Sequence, residues 1–137
     1  MLRKNAKIEL LKTVPLFAGC NKSELAQICT IADEVDLPAG ATLISEGDLG
    51  RQFFVMVGGT VEVRQKGRKL PTRGGAGFFG EISLLSNART TATVTATSPV
   101  HALVITPQGF RDLLKRAPGI QLKVLSALAE RLAPETI

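Results

Sequence analysis

Between Gly74 and Val94 the chain reads GGAGFFGEISLLSNARTTATV, which sets a carboxylate, Glu81, inside an apolar run and follows it after a short loop with Arg89. Glu is almost never fully buried without a partner, and burying an unpaired charge costs several kcal/mol. Glu81 therefore has either a structural cation beside it, with Arg51 and Arg73 as candidates, or a ligand group to receive it. The residues around it suit a ligand. Gly74, Gly75 and Gly77 permit a tight turn, and Gly80 precedes EISLLS, which is too apolar and too short for a strand entering a polar loop and reads as one or two helical turns. The start of such a turn presents unpaired N–H groups and partial positive charge, a setting for a phosphate. Arg89 would add a planar two-pronged donor to the same anion. Glu81 would accept from a ligand hydroxyl, a bond worth most when buried and charge-assisted.

This chemistry is binding. The glycine-rich turn is not a Walker loop, since no Gly-Lys-Ser/Thr follows, and it is not the dinucleotide fingerprint, since no strand–helix–strand unit surrounds it. The sequence offers no nucleophile with an adjacent base, no carboxylate pair and no metal cluster, so catalytic residues, cofactor and metal are all expected to be none. Cys20 and Cys29 with a single histidine make neither a disulfide framework nor a zinc site, and both read as reduced and structural. His101, in VHALVI, reads as a packed or edge strand residue.

The elements that must position these residues follow from hydrophobic rhythm. IELLKTV breaks at Pro15, and CNKSELAQICTIADEV resumes helical spacing behind a cap at Ser23 or Asn21. From Asp33 the rhythm changes to short β-type runs, EVDL, ATLI, FFVMV, TVEVR, TATVTA and VHALVI, separated by PAG, EGDLG, GG, KGRK and SP. Gly58 and Gly59 between FVMV and TVEV read as a tight hairpin turn. TPQGFRDLLKRA opens a helix with Thr106 as cap and Pro107 at its first position. A last helix, IQLKVLSALAERLA, carries Val124, Leu125, Leu128 and Leu132 on one stripe and is expected to cover the roll's apolar face. The expected organisation is one α+β domain over residues 1–137, with N-terminal helices at about 5–33, a β-roll at about 34–105 and C-terminal helices at about 107–133.

With 45% hydrophobic and 21% charged residues the composition is that of a globular protein, and no window approaches the ~20 apolar residues of a membrane span. The start, MLRKNAKIELLKTV, is no signal peptide, so a cytoplasmic location and no membrane insertion are expected. The formal charge of +5 is partly local, with Arg3, Lys4, Lys7 and Lys12 set against Glu9. With no Trp or Tyr to stack bases and no helix-turn-helix before the chain ends at Ile137, no nucleic-acid partner is expected.

FFGEISLL…R…ATV resembles the phosphate-binding cassette of the cyclic nucleotide-binding domain family, which includes the catabolite activator protein, the regulatory subunits of protein kinase A and the cyclic nucleotide-gated channels. LISEGDLGRQFFVMVGGTVEV resembles the strands before that cassette, and VPLFAGCNKSELAQI its helical lead-in, so the likeness runs from about Val14 to Leu132. The resemblance implies an eight-stranded antiparallel, jelly-roll-like β-roll flanked by helices, and a non-catalytic regulatory module for cyclic AMP ahead of cyclic GMP. It implies ligand contacts at Phe79, Gly80, Glu81, Ile82, Ser83, Arg89, Thr90 and Thr91. Glu81 would meet the ribose 2′-hydroxyl, the amides of Gly80 to Ser83 the phosphate, and Thr91 the phosphate or a guanine amino group. Leu125, Leu128 and Leu132 would form an apolar lid, with Arg131 stacking on the purine. The partner beyond the nucleotide would be an effector protein or a fused domain. The family arginine stands two positions before the Ala of ATV; here that position is Thr90, and Arg89 lies one residue early. Either the backbone bulges at Thr90 or Thr91 and Arg89 still reaches the phosphate, or strand register holds and Arg89 points away. A degenerate domain that binds no nucleotide and serves protein interaction is the alternative.

Overall fold

The computed structural model describes residues 2–49, 52–70, 77–80, 84–86 and 89–132, the side chains of 131 and 132 excepted. Helix α1 (Lys4–Lys12), a 3-10 turn (Pro15–Phe17) and helix α2 (Lys22–Cys29) lead into eight strands. These are β1 (Asp33–Leu37), β2 (Thr42–Ile44), β3 (Phe53–Gly58), β4 (Val61–Gln65), β5 (Arg68–Leu70), β6 (Phe78–Phe79), β7 (Thr93–Ala96) and β8 (Val100–Ile105). Helices α3 (Pro107–Arg116) and α4 (Pro118–Leu132) follow. All strand pairs are antiparallel, and they form two four-stranded sheets in the orders β1-β8-β3-β6 and β2-β7-β4-β5. The eight-stranded roll with flanking helices is thus the observed architecture.

Side-chain alternation sorts this chain into two cores. On β3 and β8, Phe54, Met56, Val100, Ala102 and Val104 point between the sheets and meet Val61, Val94 and Ala96. Their neighbours Phe53, Val55, Leu103 and Ile105 point the other way, into a second cluster with Leu11, Phe17, Leu25, Ile28, Phe110, Leu113, Ile120 and Val124 of the helices. Burial on both faces explains why FFVMV and VHALVI read as nearly continuous apolar runs. Leu84, fully buried, belongs to the helical cluster.

The helix ends use the capping chemistry their sequences offer. Asn21, rather than Ser23, caps α2: its Oδ1 accepts the Glu24 N–H at 2.9 Å while Glu24 Oε1 accepts the Asn21 N–H at 2.9 Å. Thr106 caps α3 by accepting the Gly109 N–H at 3.0 Å, with Pro107 behind it. An ion pair between Lys123 and Glu24 ties α4 to α2, and it holds the Glu24 carboxyl below the usual carboxylate range.

The glycine pair after β3 differs from the hairpin the sequence predicts. β3 and β4 do not pair; they lie in different sheets, and Gly59–Thr60 carries the chain from one to the other. The demand for glycine is real but has another origin. Gly59 has φ +99°, and a Cβ there would stand 2.4 Å from the Pro99 carbonyl oxygen. Two strands also went unread. β5 was hidden inside the basic turn KGRK, and β6 has only two residues.

His101 lies half-buried on β8, an interior strand paired with both β1 and β3, and has defined partners. Its Nε2 lies 2.7 Å from Glu34 Oε2 and its Nδ1 2.7 Å from Asp36 Oδ1, its cross-strand neighbour on β1. Glu34 Oε1 accepts the Leu2 N–H at 2.7 Å. That bond holds the Glu34 carboxyl below its ordinary value against the opposing effect of burial, and the chain's amino terminus and His101 add to it.

Replacing Gly59 by Ala should lower stability by about 2 kcal/mol or more, from backbone strain and the carbonyl clash together, read as a shift in the urea midpoint at unchanged slope. A carboxyl whose folded pKa is depressed contributes stability that is present above its unfolded value and is lost as pH falls through the folded one. Urea titrations across pH 5 to about 3 should therefore show a shallower loss of stability in Glu34→Gln than in wild type.

Candidate functional site

The sequence places the candidate anion site around Gly80 and Glu81, and the structure builds its surroundings from three segments. The first is the turn after β2, the second the residue before β3, and the third the approach to β7. Gly80 anchors the cassette. Its φ is +87°, and a Cβ would stand 2.6 Å from the Gln52 carbonyl oxygen and 3.4 Å from Ile44 Cδ1. The chain therefore passes against the entry to β3 where only glycine fits without strain. Just before it, Phe79 pairs with Phe54 on β3 and packs, half-buried, against the inter-sheet core. Glu81, Ile82 and Ser83 lie outside the described residues, as do the candidate structural partners Arg51 and Arg73.

On the far wall, Arg89 and Thr90 run antiparallel to the 44–49 segment. Ile44 faces Val94 and Leu49 faces Arg89, so five steps along one segment match five along the other, and no residue is gained or lost between them. The Gly47 N–H donates to the Thr90 carbonyl and the Thr90 N–H to the Asp48 carbonyl, each at 2.8 Å. Between the Ile44–Val94 and Leu49–Arg89 pairs the ladder is irregular, since residues 46–48 form a turn and both Gly47 and Asp48 bond Thr90. A register shift also lies between Thr42 and Ile44. Arg89 is exposed and donates from one guanidinium nitrogen to the Gly47 carbonyl at 2.8 Å. The half-buried Thr90 turns its hydroxyl inward to donate to the Ser45 carbonyl, with the Asp48 carbonyl 3.2 Å away. Thr91 is exposed.

These walls enclose a hollow of about 120 Å³ lined by Leu43, Ile44, Ser45, Asp48, Leu49, Gln52 and Thr90. Small-molecule pockets usually span roughly 300–1,000 Å³, so the hollow formed by the described lining is smaller than a usual ligand site. Its only charged lining residue among those described is Asp48, a carboxylate. Arg89, the chain neighbour of the lining residue Thr90, does not itself line the hollow, so positive charge for an anion would have to come from outside the described lining. Arg89 spends one of its five donors on Gly47 and keeps the rest toward solvent. Ser45, Asp48, Leu49 and Gln52 were not singled out from the sequence. Their signal was present as the turn EGDLG, which marks a loop without saying what it faces.

The expected lid residues belong to α4. Leu128 packs on the helical cluster, while Leu125 is 56% exposed. Arg131 and Leu132 continue the backbone of α4, and their side chains lie outside the described residues. Cys20 and Cys29 are free and half-buried, and burial pushes both thiols up, so neither has the character of a nucleophile. Among the described residues no group of three His, Cys, Asp or Glu side chains is placed to hold a metal.

Separating the roles of these residues needs only stability measurements. Gly80→Ala should cost about 2 kcal/mol and Thr90→Val about 1 kcal/mol, whereas Arg89→Ala should stay within about 0.5 kcal/mol of wild type, all from urea unfolding. An Arg89→Ala loss as large as that of Gly80→Ala would make the arginine a structural clamp.

Comparison with known proteins draws these features together. Residues 34–117 match the family model described as cyclic nucleotide-binding domain. The chain is 38% identical over 112 residues to a Drosophila melanogaster cGMP-dependent protein kinase, covering 79% of this chain and 10% of the kinase. It is 31% identical to the cAMP-dependent protein kinase regulatory subunit of Aspergillus niger, covering 76% of this chain and 26% of that protein. The chain thus spans about a quarter or less of these curated relatives. The N-terminal domain of a transcriptional regulator from Streptomyces coelicolor A3(2) superposes with a TM-score of 0.84 at 31% identity, covering 93% of this chain and 94% of that one. A roll whose cassette glycine is wedged against the strand beside it, and whose residues match across that cassette, places this chain in the cyclic nucleotide-binding domain family.

Proposed function

We propose that this chain is a non-catalytic regulatory module that binds a cyclic nucleotide, cyclic AMP ahead of cyclic GMP, and leaves it chemically unchanged. The observation that carries this reading is the position of Gly80. Pressed against the Gln52 carbonyl beside the hollow, it holds the chain at the edge of the site immediately before Glu81 in the sequence. The backbone N–H groups of Gly80 to Ser83 serve the phosphate, Glu81 accepts from the ribose hydroxyl, and Arg89 reaches the phosphate with its remaining donors. Thr90 contributes a fixed wall, since its hydroxyl proton is already committed to Ser45. Thr91 stays available to phosphate or base. The lid assignments are proposed with the rest: α4 would close over the base through Leu125, Leu128 and Leu132, with Arg131 on the purine. An effector protein or a fused domain would read the change. A cytoplasmic site of action fits the ligand, and no described helix is long and apolar enough to cross a membrane.

One observation supports the second reading, a degenerate domain that keeps the fold for protein interaction. Arg89 already serves the Gly47 carbonyl and is not among the described residues that line the hollow, which favours a domain without the phosphate-binding arginine of the resemblance. Isothermal titration with both cyclic nucleotides separates the two. The first reading expects heat with cyclic AMP at micromolar concentrations, abolished or weakened about 10- to 150-fold in Glu81→Ala by loss of a charge-assisted bond of about 1.5–3 kcal/mol. Arg89→Ala should weaken binding at least about tenfold if its free donors meet phosphate. A flat trace with both nucleotides at hundreds of micromolar leaves the second reading.

A further inference from the structure

The β4–β5 hairpin is the part of the fold that neither the cores nor the candidate site explains. Residues 64–69 read RQKGRK, four cations in six residues. The register sets Arg64 directly opposite Lys69 and Gln65 opposite Arg68, with Lys66–Gly67 as the turn. Two features of this hairpin work against its own stability. Like charges directly opposite each other on neighbouring strands repel. Lys66 adopts φ +50°, the one non-glycine residue with positive φ among those described, at a place where Asn or Asp is the common choice. Both features replace a locally favourable residue by a cation.

A charged edge strand by itself is ordinary, because lysine there discourages strands of other chains from pairing. That purpose needs neither the facing Arg64–Lys69 pair nor a lysine at positive φ. It also leaves the charge balance unexplained. Arg64 is paired with Glu62, and the Lys66 N–H donates to Glu46 Oε1 at 2.8 Å. The side chains of Lys66, Arg68 and Lys69 are exposed and have no partner among the described residues.

We propose that the tip of the β4–β5 hairpin is a docking surface for an acidic, extended segment of a partner protein, held by Lys66, Arg68 and Lys69. Charge complementarity sets the sign of the partner, and geometry selects its class. Val61 and Val63 point into the inter-sheet core, so Arg64 and Lys69 face outward, Arg68 lies on the opposite face, and Lys66 sits at the turn. Cations splayed around a tip suit a single chain crossing it better than a flat anionic bilayer. No exposed apolar side chain among residues 64–69 offers an anchor for lipid. Duplex DNA would need a ribbon long enough to lie in a groove, and β5 has three residues. The inference does not rest on nucleotide binding.

The test is fluorescence anisotropy of a dye-labelled deca-glutamate peptide with the full chain at low salt. The peptide should bind, and the triple variant Lys66→Gln, Arg68→Gln, Lys69→Gln should weaken it at least tenfold. The control triple Lys4→Gln, Lys12→Gln, Lys115→Gln removes the same charge from exposed helix positions and should weaken it less than threefold. The hairpin triple should melt no lower than wild type, since it relieves the Arg64–Lys69 repulsion; should it melt lower, Lys69→Gln alone is used, with a twofold or greater loss of binding expected. Equal weakening by the two triples, no binding of the peptide, or tighter hairpin-dependent binding of a 20-bp duplex or of phosphatidylserine vesicles would overturn the proposal.

Discussion

The structure depends on the burial of β3 and β8 on both faces. Phe53, Val55, Leu103 and Ile105 supply one side of the helical core, and Phe54, Met56, Ala102 and Val104 one side of the inter-sheet core. Because period-two alternation assigns each of these residues to one core or the other, a slip of one residue in the β3–β8 pairing would exchange the two sets entirely. The bulge between Met56 and Gly58 is confined to the end of β3, where the chain is about to leave the sheet. Everything functional hangs from this slab. The helices dock on one side of it, the second sheet closes the other, and the candidate site forms where the second sheet's strands meet the entry to β3 at Gln52.

That slab was legible because its strands are apolar on both faces, and the helices were legible because their caps are spelled out in Asn21, Glu24, Thr106 and Pro107. What escaped was pairing. Gly58 and Gly59 carry the local signature of a hairpin turn, yet the strands they join belong to different sheets, since β4 buries Val61 against Val94 and Ala96 rather than against its neighbour in sequence. Local turn chemistry says that the chain reverses, and only the distant partners say where it goes. β5 was invisible for the opposite reason: RKL has two cations and no apolar alternation, and it is a strand because β4 offers it a ladder.

The candidate site divides along the same line. Residue types identified Gly80, Glu81 and Arg89 as a group with a common chemistry. Which way Arg89 points is a question of register, and register is set by the 44–49 segment, forty residues away in sequence. The turn EGDLG contributes backbone carbonyls rather than side chains to its neighbours, since Ser45, Gly47 and Asp48 all accept bonds from Arg89 or Thr90 through main-chain oxygens. No reading of residue types predicts a wall made of backbone.

The anchoring of the cassette at its two ends bears on the energetics of binding. Gly80 is fixed against the Gln52 carbonyl, and Leu84 is fully buried in the helical core, so three residues, Glu81 to Ser83, span the interval between two held points. A ligand that supplies both a phosphate and a ribose hydroxyl to this interval could form two charge-assisted bonds of about 1.5–3 kcal/mol each, where one supplying a single group could form only one. Leu84 also gives the site a route outward, because the cluster that receives it contains Phe17, Phe110, Ile120 and Val124, drawn from the 3-10 turn, α3 and α4. A close-packed cluster responds to displacement of one member by moving its neighbours. A ligand that prefers one position of Leu84 over another would thereby prefer one arrangement of the helices over another, by as much as that difference in affinity and no more.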